Sequence, residues 1–378
     1  MLSKRYPVRS AVAKSLVAAT LSSICHVIGY ASPVSGDVPA IKGDAEKGGA
    51  GSEIELARAY SSGTGVPQDM RKAAYWFERA AGMGNPVAQN QIGYFYQVGI
   101  GVAPDPVRAV HWYQLSSANG LTSAKVNLAN AFLWGIGVNR DPKIAEKLLR
   151  EAARKGDSVA VTYLGDMYFR GLGVPKDERE GERWYERAIK LHSSLASFRM
   201  GIILSGPGGH SRDLKRALLL LRSSASAGFV PAKYSAGLLL VNNPALCTSP
   251  EEAVALLKEA AAAGTWKSSI VLGTLARDGK WLPQDSRQAY LHFRVGELQG
   301  GEAAKAIVKN DLEVLSAKIS SSDRLQLDEQ AKVWARDHSE QMEMIYKDGK
   351  KREAPTIVTL EAHGPAAQAG FLTPTTTN

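Results

Sequence analysis

Tyr96-Gln97-Val98-Gly99-Ile100-Gly101-Val102-Ala103-Pro104-Asp105-Pro106 is the stretch on which the fold turns. Its first glycine ends a run with apolar residues on one face, Ile92, Gly93 and Tyr96. A residue just past a helix end often takes a positive φ, which glycine adopts without steric cost. Asp105 then offers a carboxylate to the free amides of a following helix, and Pro106 fills the first helical position, where no amide is missed. The stretch reads as helix, tight loop, helix. The first helix runs from about Pro86 to Val98, and the second carries Trp112 and Tyr113 inward and ends near Gly120.

The same punctuation returns every 36 residues, without a gap, from about Ser52 to Ala303, which gives seven rows. One column reads Gly84, Gly120, Gly156, His192, Gly228, Gly264 and Gly300. Another reads Asp69, Asp105, Asp141, Asp177, Asp213, Ser249 and Asp285, a column of helix caps. In the sixth row Ser249-Pro250-Glu251-Glu252 is expected to form a reciprocal capping box. Small residues recur where helices must approach closely, as in Ala73, Ala109, Ala145 and Gly181. Bulky ones recur where space between pairs must be filled, as in Trp76-Phe77, Trp112-Tyr113 and Trp184-Tyr185.

The segments Tyr60 to Val66, Tyr96 to Val102, Phe132 to Val138 and Tyr168 to Val174, each followed by Asp and a basic, Ala-aromatic run, resemble the Sel1-like repeat. The resemblance covers about two-thirds of the chain. It is clearest in rows one to four and decays in rows five to seven, where Pro207 and Gly209 or Asn243 and Ala245 replace the paired glycines. It implies an all-α fold, a right-handed α/α superhelical solenoid of about seven helix pairs with a C-terminal capping helix. It also implies an adaptor of the kind used in signalling, exopolysaccharide export, host interaction or protein quality control.

The ends read differently from the rows. Lys4, Arg5, Arg9 and Lys14 precede a weakly apolar segment from Ser15 to Ala31, and no acidic residue occurs before Asp37. That is the layout of a cleavable secretory signal over residues 1–31, with a mitochondrial transit peptide as the alternative. Diluted by Ser22, Ser23 and His26, it falls short of the roughly 20 apolar residues of a membrane span, so no stable membrane insertion is expected after cleavage. Residues 32–51 read as a flexible leader, 52–303 as the repeats, 304–348 as capping helices that close the last apolar face, and 349–378 as a disordered tail.

Without residues 1–31 the net charge falls from +9 to +5, spread thinly along the chain, so a nucleic-acid partner is not expected. Cys247 is then the sole cysteine, which excludes an internal disulfide, and it reads as a small buried apolar group. The paired glycines lack the third glycine of a dinucleotide fingerprint; Gln68, Pro104, Arg140 and Lys176 stand there. Gly206 to Ser211 reads as a longer loop between helices. The histidines never pair at the spacing of a helical zinc site, and His111 and His292 read as helix-surface or boundary residues. No nucleophile elbow or phosphate-binding Lys-Ser/Thr loop occurs, so no catalytic residue, metal or cofactor is expected.

Binding is the positive expectation, because a stacked array of helix pairs has an inner wall lined by its first helices. By analogy with related repeats, the wall-lining residues stand one, four and five places after Gly93, Ala129 and Gly165. That rule picks Tyr94, Gln97, Asn130, Trp134, Asp166 and Arg170 for contact with a protein or peptide partner, with Leu133 and Phe169 beside them. Trp134 is the leading candidate. An accessory cell-wall enzyme and a structural subunit of an envelope export complex are the alternatives; an enzyme would show turnover dependent on polar residues of the groove.

Overall fold

The computed structural model describes residues 38–343 apart from 207–211 and 248, with side-chain surroundings from 41 to 338. Those residues form sixteen α-helices and one short 3-10 turn, Pro244–Leu246, with no strand among them. Helix α1 (Val38–Glu46) precedes seven pairs. These are α2 (Ala50–Ser62) with α3 (Met70–Gly82), α4 (Pro86–Val98) with α5 (Pro106–Ala118), α6 (Thr122–Trp134) with α7 (Pro142–Arg154), and α8 (Ser158–Arg170) with α9 (Glu178–Lys190). Then come α10 (Ser194–Ser205) with α11 (Leu214–Ser226), α12 (Val230–Asn242) with α13 (Pro250–Ala262), and α14 (Trp266–Asp278) with α15 (Ser286–Lys318); α16 (Ser321–Glu343) follows. The fold is an all-helical solenoid of repeats, divided into two compact units at Ala196 and Ser197.

The helices start where the sequence punctuates them. Asp105 accepts from the amides of Val107 and Arg108 at 3.2 and 3.1 Å, Asp141 from Lys143 and Ile144 at 3.0 and 3.1 Å, and Asp285 from Arg287 and Gln288 at 2.8 and 3.0 Å. Each such cap stabilises its helix by about 1 kcal/mol. Ser249 departs from the expected capping box. Its hydroxyl bonds to the Glu251 carboxylate and caps no amide, while Glu252 is drawn across to Arg222 at 2.6 Å. A bidentate partner on the preceding pair outcompetes the local reciprocal bond.

In the first unit two close approaches fix how the helices stack. Within a pair, the Tyr113 ring lies on Gly93 and the Tyr185 ring on Gly165 so tightly that a Cβ there would fall 2.9 and 2.6 Å from ring carbons. Between pairs, the second loop glycine sits on the first turn of the preceding second helix. A Cβ on Gly101 would lie 2.0 Å from the Met70 carbonyl oxygen, and one on Gly137 2.0 Å from that of Pro106. The second unit repeats the first device with Gly273 under the fully buried Phe293.

The second device changes in the seventh pair. Trp281 stands where Gly101 and Gly137 stand earlier and takes a positive φ of 65°. Its ring joins a cluster with Val254, Leu257, Leu272 and Trp334, whose burial offsets a backbone cost of roughly 1–2 kcal/mol. Gly301 (φ 58°, ψ −144°) then breaks α15, so residues 302–318 turn back as the first helix of a closing pair. Ala304 and Val308 are fully buried on the face toward the seventh pair, and α16 is tied back through Asp328 to Tyr290 and Arg294 at 2.9 and 2.8 Å.

Two sequence expectations need correction. Residues 38–46 of the supposed leader form α1, and residues 50 and 51 open α2, because Ile41 and Ala45 have apolar neighbours to bury against. Cys247 is half-buried and its thiol donates to the Ser249 carbonyl at 2.8 Å, so it acts as a weak donor at a helix start. His111 is exposed on α5 and His292 is half-buried, a boundary position on α15, both as expected; that burial together with Lys258 depresses the His292 pKa to about 4. The signal segment, the tail and most of the Gly206 to Ser211 loop lie outside the described residues.

Gly137→Ala is expected to destabilise the protein by about 3–5 kcal/mol, a left-handed penalty plus a collision. Gly120→Ala, at φ 89° with open space around it, costs only about 1 kcal/mol; urea unfolding of the two variants compares them. A depressed histidine pKa leaves its stability contribution whole above the unfolded value of 6.5 and removes it as pH falls toward the folded value. Thermal melts from pH 7 to pH 4 should therefore lose about 2–3 kcal/mol that His292→Leu retains.

Candidate functional site

The first helices of pairs two to four, α4, α6 and α8, hold all the residues expected to contact a partner. Every side chain from Ala88 to Tyr96 in α4, and from Ala160 to Met167 in α8, is buried. That depth overturns part of the expectation. Tyr94 is 7% exposed and Asp166 is 4% exposed. The Asp166 carboxylate accepts from the Tyr185 hydroxyl at 2.7 Å, so it anchors the ring that sits on Gly165. Gln97 is half-buried and does the same for Tyr113, accepting from its hydroxyl at 2.7 Å, while burial pushes that phenol's pKa upward. Leu133 is fully enclosed, and Phe169 packs on Tyr185 with ring centroids 6.1 Å apart.

Asn130, Trp134 and Arg170 remain at the surface. Asn130 is half-buried, one turn before Trp134 on α6, and Arg170 is exposed at the end of α8. Trp134 and Arg170 each end their helix just before a glycine cap, Gly135 at φ 69° and Gly171 at φ 68°, which stops the helix at the same place in both repeats. Trp134 is half-buried, and its indole N–H is shielded from solvent with no hydrogen-bond partner among the described residues. A buried donor left without an acceptor costs about 1–3 kcal/mol.

The sequence reading missed a set of tyrosine and cation clusters on these same helices. The Tyr96 hydroxyl donates to Glu78 at 2.8 Å and accepts from Arg108 at 3.0 Å, with the guanidinium 5.3 Å over the ring. Two repeats on, Tyr168 donates to Glu146 and accepts from Arg150, whose guanidinium lies between the Tyr168 and Trp184 rings at 5.8 and 5.7 Å. Tyr60 stacks under Lys72 at 5.2 Å. Burial and the neighbouring glutamates push the Tyr96 and Tyr168 pKa values upward. Part of the signal was present: a tyrosine opens the glycine segment in rows one, two and four, and in rows one and two a basic residue, Lys72 or Arg108, follows near the start of the second helix, whereas the Arg150 that meets Tyr168 comes from the preceding repeat.

These clusters are satisfied within themselves. No group of three or more His, Cys, Asp or Glu among the described residues could hold a metal ion. What the surface can do is recognise: an aromatic edge, an amide and a guanidinium stand at the ends of adjacent first helices. Tyr185→Phe is expected to cost about 1–3 kcal/mol, because it leaves the buried Asp166 carboxylate short of a donor. Chemical unfolding checks this, and a loss below about 0.5 kcal/mol would show that the bond carries little.

Comparisons with known proteins fit this geometry. The Sel1 repeat family model matches residues 50–85, 86–121, 122–157, 158–193, 194–229 and 248–265. The solved structure of a Sel1 repeat protein from Oxalobacter formigenes is 27% identical, over 65% of this chain and 98% of that one, with a TM-score of 0.55. A protective antigen present in uropathogenic Escherichia coli strains, displaying an SLR fold, is 21% identical over 84% of this chain and 75% of that one, with a TM-score of 0.41. No curated protein matches the chain.

Proposed function

We propose that this chain, which belongs to the Sel1 repeat family, is an exported scaffold that holds a protein or peptide segment against the ends of its first helices in pairs three and four. Sel1 repeat proteins are generally protein-interaction scaffolds. The reading rests on Trp134. It presents a partly exposed aromatic ring, and it has Asn130 one turn away and Arg170 at the equivalent place in the next repeat. Tryptophan and arginine are the side chains on which interface energy concentrates.

A carboxylate meeting Arg170, with partner side chains packed on the exposed part of the Trp134 ring, gains contacts the free protein lacks. Tyr94, Gln97 and Asp166 belong to this reading only as supports, since they hold the helices that present the surface residues. Export is supported by the basic then apolar order of residues 1–31. No described helix is long and apolar enough to cross a membrane. The division into leader, repeats, closing helices and tail is part of the same proposal, with the repeats opening at Ala50. The role is one of recognition, without turnover.

Selection of a displayed peptide library on residues 32–378 should enrich a common motif. Trp134→Ala and Arg170→Ala should each weaken the enriched peptide about tenfold or more in fluorescence anisotropy, with helix content by circular dichroism unchanged. Equal affinity for the parent and Trp134→Ala would remove this face from the account.

A further inference from the structure

A different surface of the first unit has a composition that the linear sequence conceals. Residues four apart on a helix share a face, and the second helices α3, α5, α7 and α9 present three such outward positions each. The first position reads Arg71, Val107, Lys143 and Arg179, and all four are exposed. The next reads Tyr75, His111, Lys147 and Arg183, again all exposed. The third reads Arg79, Leu115, Glu151 and Arg187; here Arg79 is tied to the buried Glu53 at 2.9 Å, and the half-buried Glu151 to Lys125 at 2.5 Å.

Throughout these four helices every exposed side chain that carries a full charge is a cation. Their glutamates are all drawn partly under the surface: Glu78 is bonded to Tyr96, Glu146 to Arg150, and Glu180 to Arg183. Between the cations stand apolar tips: Val107 is 66% exposed, Tyr75 56%, Ile144 39% and Leu115 37%. A partner that offered negative charge alone would leave those tips without a counterpart. At a lipid headgroup boundary both kinds of side chain find a partner. Lysine and arginine heads reach phosphates while their stems lie in the interface, and aliphatic and aromatic tips enter the acyl edge.

We propose that the outer face of α3, α5, α7 and α9 docks on an anionic phospholipid surface, leaving the first-helix ends free to hold a partner. The attachment is peripheral and reversible. It uses cations that the repeat brings together from positions 36 residues apart, where none forms a basic run.

The test is co-sedimentation of the full chain with vesicles of phosphatidylcholine alone or with about 30% phosphatidylglycerol, which models an anionic leaflet. Binding is expected to the anionic vesicles, falling roughly tenfold as salt rises from about 0.1 to 0.5 M. The triple change Lys143→Glu, Lys147→Glu, Arg183→Glu should lower it roughly tenfold or more. The milder Lys143→Gln with Lys147→Gln should lower it by a factor of about three, and Trp134→Ala should leave it unchanged. Comparing variant with parent removes any contribution of the apolar segment before Ala31, and thermal melts verify that the variants fold. Equal binding to both vesicle types, or undiminished binding by the charge-reversed chain, would overturn the proposal. So would binding of polyglutamate or duplex DNA in place of vesicles.

Discussion

The meeting of two backbones sets the geometry of the first unit. The second glycine of each loop lies so close to the first turn of the preceding second helix that no side chain fits, as Gly101 against Met70 and Gly137 against Pro106 show. That contact fixes the spacing of consecutive pairs, and the other regularities follow from it. Aromatic rings settle on Gly93 and Gly165, aspartates cap helices at equal intervals, and Trp134 and Arg170 fall at the same place on neighbouring helices. Within a unit a pair cannot hide its own apolar face, so it is stabilised by the next, and helices at the chain-terminal ends need to cover what is left. Helix α1 covers one flank with Ile41 and Ala45, and α16 covers the other with Leu327 and Ala331.

The same spacing decides where recognition can occur. Close stacking buries the first helices almost completely, which removes Tyr94 and Asp166 from any surface and turns them into supports. Of the candidate residues, those that stay accessible stand near the ends of α6 and α8, and the second helices of the first unit keep an outward stripe exposed. The two differ in chemistry. The helix ends present an aromatic, an amide and a guanidinium, suited to one polypeptide segment, while the outward stripes present many cations among a few apolar tips. A scaffold built this way has room for two engagements at once.

Helix boundaries were legible in the sequence because their causes are local. A glycine that must take positive φ, an aspartate facing free amides and a proline at the first helical position act within a few residues, and the helix expected at Pro86 to Val98 is the helix found. Depth was not legible. The rule that picked Asp166 gives direction from a helix axis but not how many neighbours converge there, and only the Tyr185 hydroxyl at 2.7 Å shows what that carboxylate does. Ser249 failed for a related reason: Arg222, 30 residues away in sequence, takes the glutamate that the local pattern had assigned to the cap. Trp281 hides the seventh pair's loop from a glycine pattern, although its backbone still adopts the glycine's conformation.

The claim that each pair depends on its neighbour is tested most directly by urea unfolding of nested fragments that begin at Val38 and end after Ala118, Arg154 or Lys190. If stacking carries the fold, the midpoint and the steepness of unfolding rise with each added pair. A fragment of two pairs as stable as one of four would mean that the pairs fold alone, and the account of the interlocking loops would be wrong.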